Sequence, residues 1–393
     1  MTQDVEISAF NNVMAILTES GFDGMADGMA VLMNEAMKLD RDHHLGAGPW
    51  ERSKKRCGHA NGFKPKQVQT RVGVLPLQVP QTRDTDFYPS SLERGLRSER
   101  ALKTALAEMY VQGVSTRKVA SITQKLCGFE VTSSQVSRAA TALDEELIAW
   151  RERPLDCMPI VILDARYEPI RYRSRLIDCA VLMAIGINEQ GKRQILGCSV
   201  ALSEAEVHWR NFLSGLKQRG LHGIELFISD AHEGLKVARK AVFSGVPWQR
   251  CQFHLQQNAQ AYVPKREMKT KVVEQIRQMF DAPDREDAQR LLDRFIKRHE
   301  KNAPDLASWA QTAIPEGLEV FAFPASQRKR LRTSNLLERV NREIKRRTRV
   351  ATLFPNTESC LRLVSAVLME ISEEWETGRA YINMNPDDNE DTA

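Results

Sequence analysis

The sequence predicts a mixed α/β fold that follows a helical N-terminal region. Three strand patterns succeed one another after residue 155, and the second and third are joined by a turn at 188–191. Helix and strand patterns then alternate from residue 203 onward. A three-strand meander followed by strand–helix alternation is the order of a ribonuclease-H-like mixed sheet. We therefore expect an α/β, ribonuclease-H-like core with an all-helical insertion, preceded by a helix-turn-helix region.

Composition excludes several other kinds of protein. The 393 residues are 42% hydrophobic and 27% charged, which is typical of a globular chain with roughly two or three domains. The longest apolar run, 179–187, spans nine residues, whereas a membrane helix needs about 18, so no membrane partner is expected. The N-terminus is acidic without an apolar core, so no signal peptide is expected. Seven scattered cysteines favour a reducing cytoplasm over a disulfide framework.

The first 98 residues predict two small modules. Apolar positions at helical spacing predict two short helices within 1–45. From 46 to 98, glycine, proline and basic residues are frequent, and an alternating stretch covers 72–79. Residues 46–98 are therefore predicted to form a basic β-hairpin module.

Residues 99–150 predict three short helices arranged as a helix-turn-helix. A turn at Gly113 separates the first two helices, and Gly128 has the position of a C-terminal cap. Thr132 and Gln135 have the spacing of a capping box that opens the third helix, which is predicted to continue through Leu147. In this motif the third helix enters the major groove of DNA.

The helix-turn-helix region supplies candidate DNA contacts. Residues near the start of a recognition helix reach base edges, so Ser134, Gln135 and Arg138 are the predicted base contacts. Arg117 and Lys118 open the second helix and are predicted to contact phosphate. The basic hairpin module is the alternative site of DNA recognition.

Five strand patterns define the first part of the core, residues 155–254. They cover 159–163, 176–187, 194–202, 224–229 and 248–254. Asp164 ends the first strand and Asp230 ends the fourth. Ser203 and Glu206 are predicted to cap the helix that follows the third strand.

The remainder of the chain is predicted to be helical. Residues 255–327 form the all-helical insertion. Residues 328–380 return to the core with a final helix that begins near Asn335 and carries Glu338. The tail at 381–393 is acidic and is predicted to be disordered.

Acidic residues at element ends are the main chemical candidates. The chain lacks the GxxxxGK[ST] loop, the GxSxG elbow, the HExxH helix and paired CxxC motifs, which leaves no basis for nucleotide hydrolysis, serine hydrolysis or zincin chemistry. The first and fourth strands are neighbours in the predicted sheet, so Asp164 and Asp230 can face each other, with Glu338 beside them. Three such carboxylates can hold two Mg²⁺ or Mn²⁺ ions, about 4 Å apart, for phosphodiester chemistry.

Each carboxylate also has a structural interpretation. Asp230 could cap the helix that follows it. Glu338 occupies the capping-box position after Asn335 and lies four residues before Arg342. Asp164 is harder to explain in this way, because a carboxylate after a buried strand needs solvent, a partner or a metal.

Positive charge is concentrated around Glu338. Ten basic and two acidic residues lie between 328 and 349, although the net charge of the chain is only +5. Such a run favours the phosphate backbone of DNA, which we expect Arg339, Arg342 and Arg346 to contact. Cys251 and His254 form a single CxxH pair, half of a zinc site, for which structural packing is favoured over metal binding. Because the predicted strand 248–254 should lie near that of Asp230, we expect both residues to support the active site from beside the carboxylates, without ligating a catalytic metal.

Several short motifs extend through most of the chain. The first group comprises Asn61–Gly–Phe, Met109–Tyr–Val–Gln–Gly–Val–Ser–Thr–Arg117, Leu163–Asp164–Ala–Arg–Tyr and Ile228–Ser–Asp230–Ala–His–Glu–Gly234. The second group comprises His208–Trp209, Trp248–Gln–Arg–Cys251–Gln–Phe–His254 and Thr333–Ser–Asn335–Leu–Leu–Glu338–Arg–Val–Asn341. Together, from about residue 56 to residue 368, they resemble the Mutator-like group of bacterial insertion-sequence transposases.

The resemblance implies an Asp-Asp-Glu catalytic triad made of Asp164, Asp230 and Glu338. It also implies that Cys251 and His254 are the Cys-x-x-His motif of that group, and that a helical insertion precedes the catalytic Glu. The chain departs from the pattern at 165–166, where Ala–Arg stands in place of the Gly–Ile or similar pair that relatives often have.

The expected function is that of a DNA transposase. It would bind terminal inverted repeats, cleave DNA to free a 3′-hydroxyl and join that hydroxyl to target DNA, acting at the nucleoid in the bacterial cytoplasm. Because two DNA ends must be held together, a homodimer or larger assembly is expected. A circular copy-out intermediate is implied by the resemblance alone. The alternatives are a catalytically silent DNA-binding regulator derived from a transposase, and a structure-specific nuclease that never joins strands.

Overall fold

A computed structural model describes residues 2–95, 97–349 and 353–384. They form two compact units, Met1–Leu143 and Asp144–Ala393, and each is described by itself. Of the predicted acidic tail, residues 385–393 lie outside the described residues. No helix in the described part of the chain is both long and apolar enough to cross a membrane.

The first unit begins with two helices and a β-hairpin. The elements are α1 (Thr2–Ser20), α2 (Met25–Leu45), β1 (His59–Thr70) and β2 (Gly73–Arg83). The predicted hairpin is confirmed, since β1 and β2 pair antiparallel. Both helices are longer than predicted. The face of α2 that carries Met37 packs on the apolar side of the hairpin, where Leu75, Leu77 and Val79 are buried.

Three further helices complete the first unit: α3 (Arg100–Val111), α4 (Thr116–Cys127) and α5 (Ser133–Thr141). The predicted C-terminal cap of α4 is confirmed, because Gly128 has a φ of 74°. The predicted capping box of α5 is also confirmed: Thr132 Oγ1 accepts from the Gln135 amide at 3.2 Å, and Gln135 Oε1 accepts from the Thr132 amide at 2.7 Å.

The prediction that the third helix continues through Leu147 is wrong. Helix α5 ends at Thr141, and a separate helix, α6 (Asp144–Glu152), belongs to the second unit. Three acidic residues open α6, and negative charge favours a helix N-terminus. Asp144 also pairs with Arg362, whose Nε lies 2.6 Å from its Oδ1.

A five-stranded mixed sheet forms the centre of the second unit. Its strands are β3 (Ile160–Tyr172), β4 (Arg175–Ile187), β5 (Arg193–Ala201), β6 (Leu226–Ser229) and β7 (Trp248–Arg250). The order across the sheet is β5-β4-β3-β6-β7. Strands β3, β4 and β5 form an antiparallel meander, while β6 runs parallel to β3 and β7 runs parallel to β6.

Two strand predictions need correction. The first strand does not end at Asp164 but continues to Tyr172, because β4 pairs with β3 along its whole length. The last strand ends at Arg250 rather than at His254, since a helix begins at Gln252.

Helices α7 (Glu206–Gln218) and α8 (Glu233–Val242) pack on the sheet around Trp209, which is fully buried. The predicted cap of α7 is wrong, because its N-cap residue is Ala205, which makes no side-chain cap bond. A second correction concerns α15 (Thr357–Thr377), a long helix after the one predicted to be last. It packs on β5, where the amide of Ile195 donates to Ser372 Oγ at 3.1 Å.

Only helices and turns lie between β7 and residue 334 in the described chain. The helices are α9 (Gln252–Ala259), α10 (Lys269–Phe280), α11 (Arg285–His299), α12 (Pro304–Ala313) and α13 (Ala325–Leu331). Helix α14 (Asn335–Thr348) then returns to the sheet and contacts β3.

Gly234 controls how closely α8 approaches the loop before α7. A Cβ at this position would overlap the carbonyl oxygen of Glu204 and lie 2.9 Å from the Glu206 amide. We expect Gly234→Ala to lower the free energy of unfolding by about 1–3 kcal/mol, since backbone atoms must move apart. Thermal unfolding checks this.

The matched control is Gly215→Ala in α7, where an added Cβ meets no atom within 4 Å. Alanine is the better helix former, so this variant should be neutral or up to about 1 kcal/mol more stable. Equal stability of the two variants would contradict the proposed crowding at Gly234.

Candidate active site

Two carboxylates lie side by side where β3 and β6 separate. The parallel register pairs Ile160 with Leu226 and Ile162 with Ile228. The same register carried two residues further would set Asp164 opposite Asp230, just past the end of β6, and the charge of Asp230 does act on Asp164. A loss of parallel pairing at this point leaves room for polar side chains. The structure therefore brings together two of the three predicted catalytic residues.

Asp164 is held by a side chain of α14. Its Oδ2 accepts a hydrogen bond of 2.8 Å from Nδ2 of Asn341. Burial raises the pKa of Asp164 to about 6, the Asn341 bond opposes that rise, and the charge of Asp230 adds to it. The carboxylate is therefore costly to ionise in the absence of a cation.

Two contacts between α14 and β3 fix Asn341 in place. Nη1 of Arg166 donates to the carbonyl oxygen of Asn341 at 3.1 Å, and Arg166 also pairs with the buried Glu168. At the C-terminal end of α14, Oγ1 of Thr348 donates to Glu168 Oε1 at 3.2 Å. Arg166, the departure from the family pattern, thus connects the strand of Asp164 to the helix of Asn341.

Glu338 lies three residues before Asn341 on α14, so it shares the helix face that meets Asp164. Its side chain is exposed. The capping-box interpretation is not supported, because the N-cap residue is Ser334, and the side chain of Asn335 lies outside the described part. No three His, Cys, Asp or Glu side chains among the described residues form a group that could hold a metal ion.

The donor atoms at this site nevertheless suit a hard cation. Carboxylate and amide oxygens are the ligands that Mg²⁺ and Mn²⁺ prefer. Beside the Asp164–Asp230 pair, Oδ1 of Asn341 is buried and makes no hydrogen bond within the described residues. A buried oxygen without a hydrogen-bond partner, next to a carboxylate that is costly to ionise, is the environment that a bound cation would stabilise.

Cys251 and His254 lie beside the two carboxylates. Cys251 follows β7 and is buried, with its sulfur 3.3 Å from Ser334 Oγ, just before α14. Burial alone would raise the pKa of the Cys251 thiol, but interactions with His254 and Ser334 lower it. The interaction with Cys251 raises the pKa of His254, burial opposes this, and the charges of Asp230 and Asp164 raise it further. The structure thus places this predicted pair at the site.

Asp230 has two neighbours to which the sequence analysis assigned no role, His232 and Glu204. Its Oδ1 accepts a long hydrogen bond of 3.4 Å from the amide of His232, and His232 is itself the N-cap residue of α8. Nδ1 of His232 lies 3.7 Å from Oε2 of Glu204. Burial raises the pKa of Glu204. The close approach at Gly234 explains how Glu204 reaches this position.

The three arginines of α14 that are predicted to contact phosphate differ in their interactions with the rest of the protein. Arg339 and Arg342 are exposed. Arg346 is also exposed, but its Nη2 lies 2.7 Å from Glu343 Oε1. Bonds from Arg346 and Arg347 lower the pKa of Glu343 to about 2, against the opposing effect of burial. Arg347 is buried, and its Nη1 lies 2.6 Å from Oε2 of Glu370 on α15, so this part of the basic run holds α14 in the fold.

The predicted DNA contacts of the first unit also differ from one another. Arg117, Lys118, Ser134 and Arg138 are exposed on α4 and α5. Gln135 is half-buried and engaged on both sides of its amide: Oε1 belongs to the capping box, and Nε2 donates to Gln69 Oε1 at 3.1 Å. Both polar atoms of the Gln135 side chain are therefore already hydrogen-bonded within the first unit.

Comparisons with known proteins agree with the sequence motifs. Residues 1–378 match the family model described as "Transposase, Mutator family". The chain is 56% identical over 388 residues, 98% of this chain and 100% of the relative, to the transposase for insertion sequence element IS406 of Burkholderia multivorans. It is 42% identical to the ISRM5 transposase of Rhizobium meliloti, covering 92% of this chain and 91% of that one. It is 37% identical to the IS256 transposase in Tn4001 of Staphylococcus aureus, covering 91% and 92%.

The raised pKa of Asp164 has a consequence for stability. In the folded state the pKa is about 6, against about 3.9 when unfolded, so the stability of the fold falls as the pH rises from about 4 to about 6 and the full cost is present above pH 6. We expect Asp164→Asn to stabilise the metal-free protein at pH 7.5 by up to about 3 kcal/mol, and the gain to fade as the pH falls towards 4. Thermal unfolding in EDTA across this range measures it.

Asp178→Asn is the control, because Asp178 is exposed on the neighbouring strand β4. It should show no gain that depends on pH in this way. If Asp164→Asn is no more stable than the wild type at pH 7.5, Asp164 is not held as a costly carboxylate.

Proposed function

The chain belongs to the Mutator family of transposases, and we propose that it cleaves and joins DNA strands at a divalent-metal centre made by Asp164, Asp230 and Glu338. The observation that carries this proposal is the β3–β6 register, which sets Asp164 beside Asp230. Carboxylates from neighbouring strands at one sheet edge are suited to phosphoryl transfer with metal ions.

We propose a ribonuclease-H-like fold for the second unit. Its support is the strand order β5-β4-β3-β6-β7 with an antiparallel meander followed by two parallel strands. In this proposal the helices α9 to α13 form an insertion between the second Asp and the Glu. The insertion leaves α14 free to return against β3.

Asp164, Asp230 and Glu338 would hold Mg²⁺ or Mn²⁺. When bound, two such ions activate a water or hydroxyl nucleophile and stabilise the leaving oxygen of a phosphodiester. Asn341 orients Asp164 through its 2.8 Å bond. The exposed Glu338 lies one turn before Asn341 on α14, and in this proposal its carboxylate completes the set of metal ligands.

The other residues at the site bind or orient. His254 lies within electrostatic reach of both carboxylates, and its imidazole would orient a carboxylate or contact a phosphate. Cys251 is a soft ligand and a poor match for Mg²⁺, so its role is to position His254 and Ser334. Arg339 and Arg342, both exposed on α14, would bind the DNA backbone.

The first unit is proposed to recognise the terminal inverted repeats. Helices α3, α4 and α5 would act as a helix-turn-helix, with Ser134 and Arg138 reaching base edges and Arg117 and Lys118 contacting phosphate. A homodimer or larger assembly would hold two ends. The relatives are from bacteria, and we place its action at the nucleoid in the cytoplasm.

Loss of each catalytic carboxylate should abolish cleavage without abolishing DNA binding. Asp164→Asn, Asp230→Asn and Glu338→Gln keep side-chain shape but remove the charge that holds the metal. Cleavage and binding are measured on the same inverted-repeat duplex, and cleavage should fall by at least about 10³-fold.

Glu233→Gln is the control, because Glu233 is exposed three residues after Asp230. It should cleave like the wild type. Robust cleavage by any of the three carboxylate variants would remove that residue from the triad.

His254→Ala should reduce cleavage by about 10²-fold, as loss of a supporting residue does, while the requirement for Mg²⁺ or Mn²⁺ stays unchanged. Cleavage assays across both metals measure this. Metal analysis of the purified protein is a second measurement. Stoichiometric zinc that is lost in Cys251→Ser would replace the positioning role with a zinc site.

A further inference from the structure

A continuous groove crosses the first unit beside α5. One cavity of ≈ 800 Å³ lies against β1, β2 and the loop that follows them. A second cavity of ≈ 490 Å³ lies against α3 and α5. The two share Gln69, Gly95, Arg97 and Gln135, so they are parts of one surface, which we name the hairpin groove.

The hairpin groove is strongly basic. Its described lining contains six basic residues: Lys64, Lys66, Arg94, Arg97, Lys103 and Arg138. Among the described lining residues the one acidic side chain is Asp86, and it lies 3.5 Å from Arg94 in an ion pair. A long surface with such an excess of cations suits a polyanion better than a small anion.

Some of these cations are held in place before any ligand binds. Nζ of Lys66 donates to Tyr88 Oη at 3.0 Å and lies 5.8 Å from the centre of the Tyr88 ring. The guanidinium of Arg94 lies 5.3 Å from the centre of the same ring. Tyr88 therefore fixes two positive charges, which lowers the entropy lost on binding.

Gln69 joins the groove to α5. Its Oε1 accepts from Gln135 Nε2 at 3.1 Å and from Ser98 Oγ at 3.3 Å. Its backbone accepts from the Glu99 amide at 2.8 Å and donates to the Arg97 carbonyl at 2.9 Å. The hairpin, the loop after it and α5 are thus connected at Gln69, and Gln135 attaches α5 to it.

We infer that the hairpin groove binds the phosphate backbone of duplex DNA next to the bases that α5 reads, so that hairpin and helix form one recognition surface. This inference rests on the proposed function, in which the first unit binds the ends of the element. Arg138 lines the groove and also lies on the predicted reading side of α5. Phosphate contacts here would fix the register of α5 on the duplex.

The test uses the full-length protein and a fluorescein-labelled DNA duplex of arbitrary sequence, with binding followed by anisotropy over a range of salt concentrations. Lys64→Gln and Arg97→Gln each remove one exposed charge from the groove. Each should lower the slope of log K against log salt by about 0.9, and the double variant by about 1.8. Unchanged thermal unfolding shows that both variants fold.

Lys125→Gln is the matched control, since Lys125 is exposed in the last turn of α4 and does not line the groove. Its slope should equal that of the wild type. A double variant with the wild-type slope, or tighter binding of a matched RNA duplex than of DNA, overturns the inference. If the wild type binds neither the arbitrary duplex nor the inverted repeat, the proposed function fails instead.

Discussion

The parallel register between β3 and β6 is the constraint on which the site depends. Only three residue pairs make this contact, from Ile160–Leu226 to Ile162–Ile228. All of these side chains are fully buried on both faces of the sheet, so a shift of the register by one residue would move each side chain to the opposite face and disrupt the packing of both layers. The packing of these strands therefore fixes Asp164 beside Asp230, so the position of the candidate catalytic pair follows from the packing of the hydrophobic core.

The position of helix α14 also depends on β3. Arg166 and Glu168 project from β3 at the positions after Asp164 and bind α14 at Asn341 and Thr348. These contacts set Asn341 on Asp164, and helical geometry then sets Glu338 one turn away. A buried ion pair of this kind contributes little net stability but fixes orientation, because either charge alone would be costly to bury.

Much of the fold could be predicted from local patterns, and the failures share a cause. The capping box at Thr132 and the glycine cap at Gly128 are short-range devices that the sequence displays directly. The end of β3 could not be predicted, because pairing with β4 decides it, and that pairing is a long-range contact. A long-range contact that local patterns do not display also engages Gln135, whose side-chain amide donates to Gln69, 66 residues away.

For the site, sequence motifs indicated the three carboxylates and the Cys251–His254 pair, whereas Asn341 was visible only as part of a motif. Its buried oxygen and its bond to Asp164 become evident only in the structure, where β3 and α14 meet.

The most direct test of the proposed metal centre is Mn²⁺ binding to the metal-free, full-length protein, followed by electron paramagnetic resonance. Mn²⁺ should bind the wild type, and Asp164→Asn and Asp230→Asn should each lose that binding. Binding of equal stoichiometry and affinity in both variants would contradict a metal centre at this strand pair.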